Sequence, residues 1–120
     1  MSELIQLEKR DHIAILTIAN PPANTWTADS LAALEATIED LNADRNIFAL
    51  VVTGQGEKFF SAGADLKTFA DGDRARANEM AQKFGQAFAT LTAFRGVSIA
   101  AINGYAMGGG LECALSCDIR

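Results

Sequence analysis

The order of apolar patterns along this chain of 120 residues predicts an α/β fold. Short runs rich in Ile, Leu and Val, each of strand length, alternate with two long stretches whose apolar residues recur at helical spacing. Hydrophobic residues make up 49% of the sequence and charged residues 21%, which is enough apolar surface for a packed core and too little charge for disorder. No repeat, low-complexity tract or linker composition interrupts the pattern, so residues 1–120 read as one compact unit or part of a larger one.

Taken in order, Leu4 to Glu8 and Ile13 to Ile18 read as a hairpin or two neighbouring strands separated by Lys9-Arg10-Asp11-His12. Asn20-Pro21-Pro22 stops the second run, because proline fixes φ and lacks a ladder donor. Thr27 is suited to cap a helix running to about Asn42, in which Leu31, Leu34, Ile38 and Leu41 share one face. Phe48 to Thr53 is a β-branched run ended by Gly54 and reads as a buried strand. Gly54 to Ala70 reads as loop. Asp71-Gly72-Asp73 opens a second long helix that Gly96 can close, with Phe84, Ala87, Phe88, Leu91 and Phe94 as a core-facing stripe rather than a cofactor box. Ser98 to Ile102 reads as a strand, Asn103 to Gly110 as a glycine-rich turn, and Leu111 to Ser116 as a short helix.

Charge and cysteine content narrow the function. A net charge of −5 and a pI of about 4.7 argue against nucleic acid or an anionic membrane as the main partner. No apolar run reaches the roughly 20 residues that span a bilayer. Met1-Ser2-Glu3-Leu4 lacks the basic start of a signal peptide, so a cytoplasmic location is expected. Cys113 and Cys117 sit one helical turn apart, where disulfide geometry is poor, and His12 is too distant in sequence to complete a metal site. They read as small buried residues in a reducing compartment, and no metal is expected.

The two small-residue clusters, Ser61-Ala62-Gly63-Ala64-Asp65 and Gly104 to Gly110, are the candidate functional segments. Such residues let a ligand approach bare N–H groups. Phosphate loops fail on inspection: GxxxxGK[ST] is absent, Gly54-Gln55-Gly56 meets Phe59 where a third glycine belongs, and Gly108-Gly109-Gly110 meets Cys113. Exposed N–H groups can instead stabilise an oxyanion, the charge that an acyl thioester gains when its α-carbon becomes carbanion-like. Glu112, in the first turn of the last helix, is either a partner for the helix dipole or an acid/base near such a donor. Asp65 is either part of a binding loop or a polar cap for the segment after it.

Phe60-Ser61-Ala62-Gly63-Ala64-Asp65-Leu66-Lys67 and Ala101 to Glu112 (AINGYAMGGGLE) together resemble the enoyl-CoA hydratase/isomerase (crotonase) family. Asn20-Pro21-Pro22-Ala23-Asn24 and FALVVTGQGEKFF extend the resemblance over nearly the whole chain. It implies a spiral of ββα units, of which residues 1–120 form the N-terminal portion, with the C-terminal half lying outside this chain. It implies an acyl-CoA substrate, an oxyanion hole from the N–H groups of Ala62 and Gly109, and a CoA pocket bordered by Ala62, Gly63, Ala64, Asp65 and Gly109. Glu112 occupies the position of the family's first hydratase glutamate; the second would lie downstream of this chain. The resemblance further implies no metal or redox cofactor, coenzyme A being part of the substrate, and assembly as trimers or dimers of trimers. The expected reaction is hydration of a trans-2-enoyl-CoA. Double-bond isomerisation or thioester hydrolysis on the same hole is the nearest alternative, and a non-catalytic acyl-CoA-binding subunit the more distant one.

Overall fold

The structure is a computed structural model that describes residues 3–69 and 71–120. In chain order its elements are β1 (Ile5–Arg10), β2 (Ile13–Ile18), α1 (Ala28–Ala43), β3 (Ala49–Gly54) and β4 (Phe59–Ser61). A one-turn 3₁₀ helix (Leu66–Phe69), α2 (Arg74–Thr92), β5 (Val97–Ala100), β6 (Tyr105–Ala106) and α3 (Gly109–Leu115) follow. Asp11, in the left-handed region at φ 52°, makes the tight turn that folds β1 back on β2. The hairpin register pairs Ile5 with Ile18 and Arg10 with Ile13. The next two pairings are parallel and need crossovers, which α1 and α2 supply, giving the strand order β1-β2-β3-β5.

One face of this sheet is the core. Ala14, Leu16 and Ile18 of β2, Leu50 and Val52 of β3, and Ala100 of β5 are buried in one cluster with Leu31, Leu34, Ile38 and Leu41 of α1. Ala87, Phe88 and Leu91 of α2 join it, and Phe84 packs against its edge. Thr27 caps α1 as its sequence suggests: its hydroxyl accepts from Ser30 N–H while Ser30 Oγ accepts from Thr27 N–H. At the other end, the Arg95 guanidinium donates to the carbonyls of Leu41, Asn42, Asp44 and Ile47, satisfying groups that a helix C-terminus leaves open.

Several boundaries differ from the sequence reading. The run from Phe48 is not buried on both faces. Ile13 and Val97 on the far face remain exposed, and Phe48 lies outside the strand, stacked on His12 at 4.5 Å. Helix α2 opens on its Asp73 cap but stops at Thr92, before Gly96, because Phe94 turns into the core and donates its N–H to Leu91 O. The segments read as loop each contain a short strand: β4 and β6 pair in parallel as a second sheet. Ala70, the last residue of the loop read from Gly54, lies outside the described residues. Both cysteines are free and buried within or just after α3.

Two asparagines lock the turn between β3 and β4. Asn24, fully buried and at φ 53°, donates its side-chain amide to Gln55 O and Phe59 O. Asn103 donates to Gly54 O, Gly56 O and Phe59 O and accepts from Gly54 N–H. Asn103→Ala should therefore destabilise the fold by about 2–4 kcal/mol in urea titration, because several carbonyls lose their donor at once. Burial pushes the Cys117 thiol up to about 11, and Cys113 is raised further by the same cause. Both should be inert to Ellman's reagent at pH 8 until the chain is unfolded. The unfolded thiols titrate near 9.0 while the folded ones keep their protons, so stability should fall as pH climbs past that value.

Candidate functional site

The second sheet brings the two small-residue clusters together. Ser61 O accepts from Met107 N–H at 3.0 Å, and α3 starts immediately beyond. Gly110 lies so close that a Cβ there would stand 2.0 Å from Ser61 O, a distance no side chain can occupy. Gly63, at φ 100°, makes the matching approach from the other side: its Cβ would stand 2.9 Å from Met107 O and 3.0 Å from Gly109 N.

The hydrogen bonds of the Ser61–Asp65 segment then decide which N–H groups are open. Ala62 N–H donates to Ala23 O at 2.9 Å. That bond corrects the expectation that Ala62 is an oxyanion donor, since a group committed to a backbone carbonyl has nothing left to offer. Gly63 N–H is held by Ser61 Oγ at 3.2 Å. Trp26 bridges the segment in parallel, donating to Gly63 O at 2.7 Å and accepting from Asp65 N–H at 3.0 Å. In such a bridge the residue between the two bonds directs its own N–H the opposite way. Ala64 is that residue, and its N–H has no partner among the described residues.

Gly109 is the first residue of α3, preceded by Gly108 at φ 52°. Gly110 N–H is used by Met107 O and Glu112 N–H by Gly108 O, whereas Gly109 N–H is unpartnered among the described residues. The structure thus brings Gly109 beside Gly63 and leaves open N–H groups on Ala64 and Gly109, flanking that contact.

Two grooves adjoin this point. One, of about 430 Å³, is lined by Ala23, Thr25, Ala62, Ala64, Asp65, Leu66 and Lys67. Gly63 is buried between the two clusters instead. The Asp65 carboxylate accepts from Lys67 N–H at 3.1 Å and so caps the 3₁₀ turn, as its polar-cap reading anticipates. The other groove, of about 460 Å³, runs between α2 and α3 and is lined by Ala77, Ala81, Phe84, Gly85 and Phe88 together with Glu112 and Ser116. The Glu112 side chain is exposed and makes no hydrogen bond or ion pair among the described residues. Phe84 joins this groove to the open N–H groups, since its ring edge lies 2.7 Å from where a Cβ of Gly109 would be. Sequence reasoning missed Trp26 as the bridge and Ala64 as the open donor. The available signal was the extended, alternating character of the segment, which makes every second N–H point away.

Comparison with known proteins agrees with this architecture. A profile of the enoyl-CoA hydratase/isomerase family matches residues 8–120. The structure of DspI from Pseudomonas aeruginosa superposes with a TM-score of 0.97 at 68% identity, covering 99% of this chain and 49% of that one. An enoyl-CoA hydratase structure from Bacillus anthracis superposes with a TM-score of 0.95 at 30% identity, covering 98% of this chain and 46% of that one. A short-chain-enoyl-CoA hydratase of Clostridium acetobutylicum is 36% identical over 115 residues, 95% of this chain and 44% of the relative. The chain thus spans less than half the length of the curated relatives it matches. With the paired small-residue loops, the parallel second sheet and a family match over almost all of its residues, the chain belongs to the enoyl-CoA hydratase/isomerase family and forms the N-terminal part of the crotonase fold.

Proposed function

We propose that the whole protein is an enoyl-CoA hydratase that adds water to a trans-2-enoyl-CoA to give a 3-hydroxyacyl-CoA. The observation that carries this reading is the pair of open N–H groups on Ala64 and Gly109 at the Gly63–Gly109 contact. When water oxygen bonds to C3, the electron pair of the double bond moves through C2 onto the thioester oxygen. Two fixed donors at roughly 3 Å from that oxygen stabilise the enolate more than the ground state. The enolate then takes a proton at C2. Glu112 and a second acidic group from the rest of the protein exchange protons with the water as general base and acid. The chemistry involves no change of redox state, so no cofactor is needed beyond the coenzyme A that enters with the substrate.

The groove along Ala62, Ala64 and Asp65, with Gly63 buried behind it, receives the coenzyme A portion, and Lys67 adds a cation there suited to a phosphate. The short-chain hydratase name of the Clostridium relative supports the reaction class. A cytoplasmic trimer or dimer of trimers is the assembly this reading implies.

In the whole protein, Glu112→Gln should lower turnover of crotonyl-CoA, followed by loss of the conjugated thioester absorbance, by about 10²–10⁴-fold. A rate within about threefold of the parent would remove Glu112 from the chemistry, by the same scale of acid/base contributions. Replacing the Ala64 amide by an ester, which deletes the N–H and little else, should cost about 10²–10³-fold in kcat. The same replacement at Ala62 breaks the bond to Ala23 O and should register mainly as a lower Tm. Tight acyl-CoA binding without turnover would favour a binding subunit, and migration of the double bond without hydration an isomerase.

A further inference from the structure

Of the six asparagines in the sequence, Asn103 alone is followed by glycine. The fold requires both residues of that pair. The Asn103 side-chain amide donates to Gly54 O at 2.9 Å, Gly56 O at 2.8 Å and Phe59 O at 3.3 Å, and its Oδ1 accepts from Gly54 N–H at 3.0 Å. No other side chain of that size offers two donor hydrogens and an acceptor together. Gly104 packs so closely that a Cβ there would stand 2.2 Å from Lys58 O, so nothing larger fits. In an asparagine–glycine pair the side-chain amide is unusually open to attack by the next backbone nitrogen. Glycine carries no side chain to shield that nitrogen, and its backbone turns freely. The Gly104 N–H has no partner among the described residues, so the nucleophile is not tied down. What protects the folded chain is the grip on the Asn103 amide.

We propose that Asn103 is a deamidation site which the native clamp holds shut, and that its modification makes an opening of the clamp irreversible. The Gly104 nitrogen, after giving its proton to hydroxide, forms a bond to Asn103 Cγ. The Cγ–Nδ2 bond breaks, and Nδ2 takes up a proton and leaves as ammonia. Water then opens the resulting succinimide at one of its two ring carbonyls. One opening leaves a side-chain carboxylate, the other an isoaspartyl linkage in the main chain. The net change consumes one water and releases one ammonia, with no electron exchanged. Closing the ring makes Cγ tetrahedral and swings Nδ2 out of the amide plane, so its donations must break first. The rate in the folded protein is therefore the rate in open chain scaled by the fraction of time the clamp is open. Either product bars the way back. A carboxylate has no hydrogen to give, so the carbonyls of Gly54, Gly56 and Phe59 lose their donor and face a negative charge. The isoaspartyl linkage lengthens the main chain just where Gly104 and the Tyr105 N–H meet Lys58 O. None of these steps draws on the reaction proposed for the whole protein.

The test ages the whole protein at neutral pH, folded in buffer and unfolded in concentrated urea, and follows the tryptic fragment 96–120 by mass spectrometry. That fragment contains Asn103 and no other asparagine or glutamine, so conversion of amide to acid in it reports on this site alone. Conversion should be about a hundredfold or more slower in the folded protein than in urea, the scale set by opening a satisfied network. Equal rates in the two states would show that the clamp protects nothing, and no conversion in urea that the pair is not labile; either result overturns the assignment. Diluting the aged urea sample into buffer then sorts the chains. Converted Asn103 should be about tenfold or more scarcer in the refolded fraction than in the fraction that fails to refold. Equal conversion in both fractions would overturn the irreversible step. Asn103→Asp supplies the same carboxylate without ageing and should lower the refolded yield or the Tm. A variant that refolds in full with the Tm of the parent would overturn the proposal as well.

Discussion

Phe59 carbonyl oxygen is the fixed point of this structure. It accepts from the side-chain amide of Asn24 on one side and from that of Asn103 on the other. These two residues lie at the ends of connections that are distant in sequence, one following β2 and the other following β5. Their shared acceptor ties the turn after β3 to both. Since β4 begins at Phe59, the position of Ser61 and everything beyond it follows from this clamp. Hydrogen-bonded networks of this kind are costly to satisfy partially, so the turn has one well-defined conformation rather than several of similar energy.

From the clamp, the geometry propagates through main-chain contacts. Trp26 is buried and bridges Gly63 and Asp65, and Gly110 approaches Ser61 at a distance that no side chain could share. The segment from Ser61 to Asp65 is thereby held on one side by the loop leading into α1 and on the other by the start of α3. Among the described residues the Ala64 and Gly109 N–H groups are left open, and at buried Gly109 this has a cost, because unpaired backbone donors are rare where water is scarce. The surrounding bonds make that cost tolerable by removing any freedom to relax and pair them.

Much of this was legible in the sequence. The apolar face of α1, its Thr27 cap and the stripe on α2 were visible because burial and helix periodicity are local properties. The two small-residue clusters were visible as compositional anomalies. The assignment of the donor was not, because which amide in Ser61–Asp65 is free depends on Ala23 and Trp26, which lie far away in sequence and pair through atoms every residue has. The sequence likewise hid β4 and β6. Each is only two or three residues long and has no periodicity to read until the two lie side by side. Gly96 misled for a related reason: a glycine after a helix suggests its end, but the buried ring of Phe94 ended α2 earlier.

The proposed donors at Ala64 and Gly109 are peptide groups, and the genetic code cannot edit a peptide group. Any substitution at either position other than proline changes a side chain while the N–H stays. A substitution at Gly63 or Gly110 disrupts the loop as a whole. Selection acting on such a site therefore has two settings for the hole itself, intact or lost, and gradual change must fall on what borders it. Glu112, exposed and without a side-chain partner among the described residues, can be replaced without breaking any hydrogen bond or ion pair of its side chain among them. On the proposed reading, a fold built this way keeps its handling of thioester charge constant across descendants, and new chemistry enters by exchanging the groups around an unchanging centre.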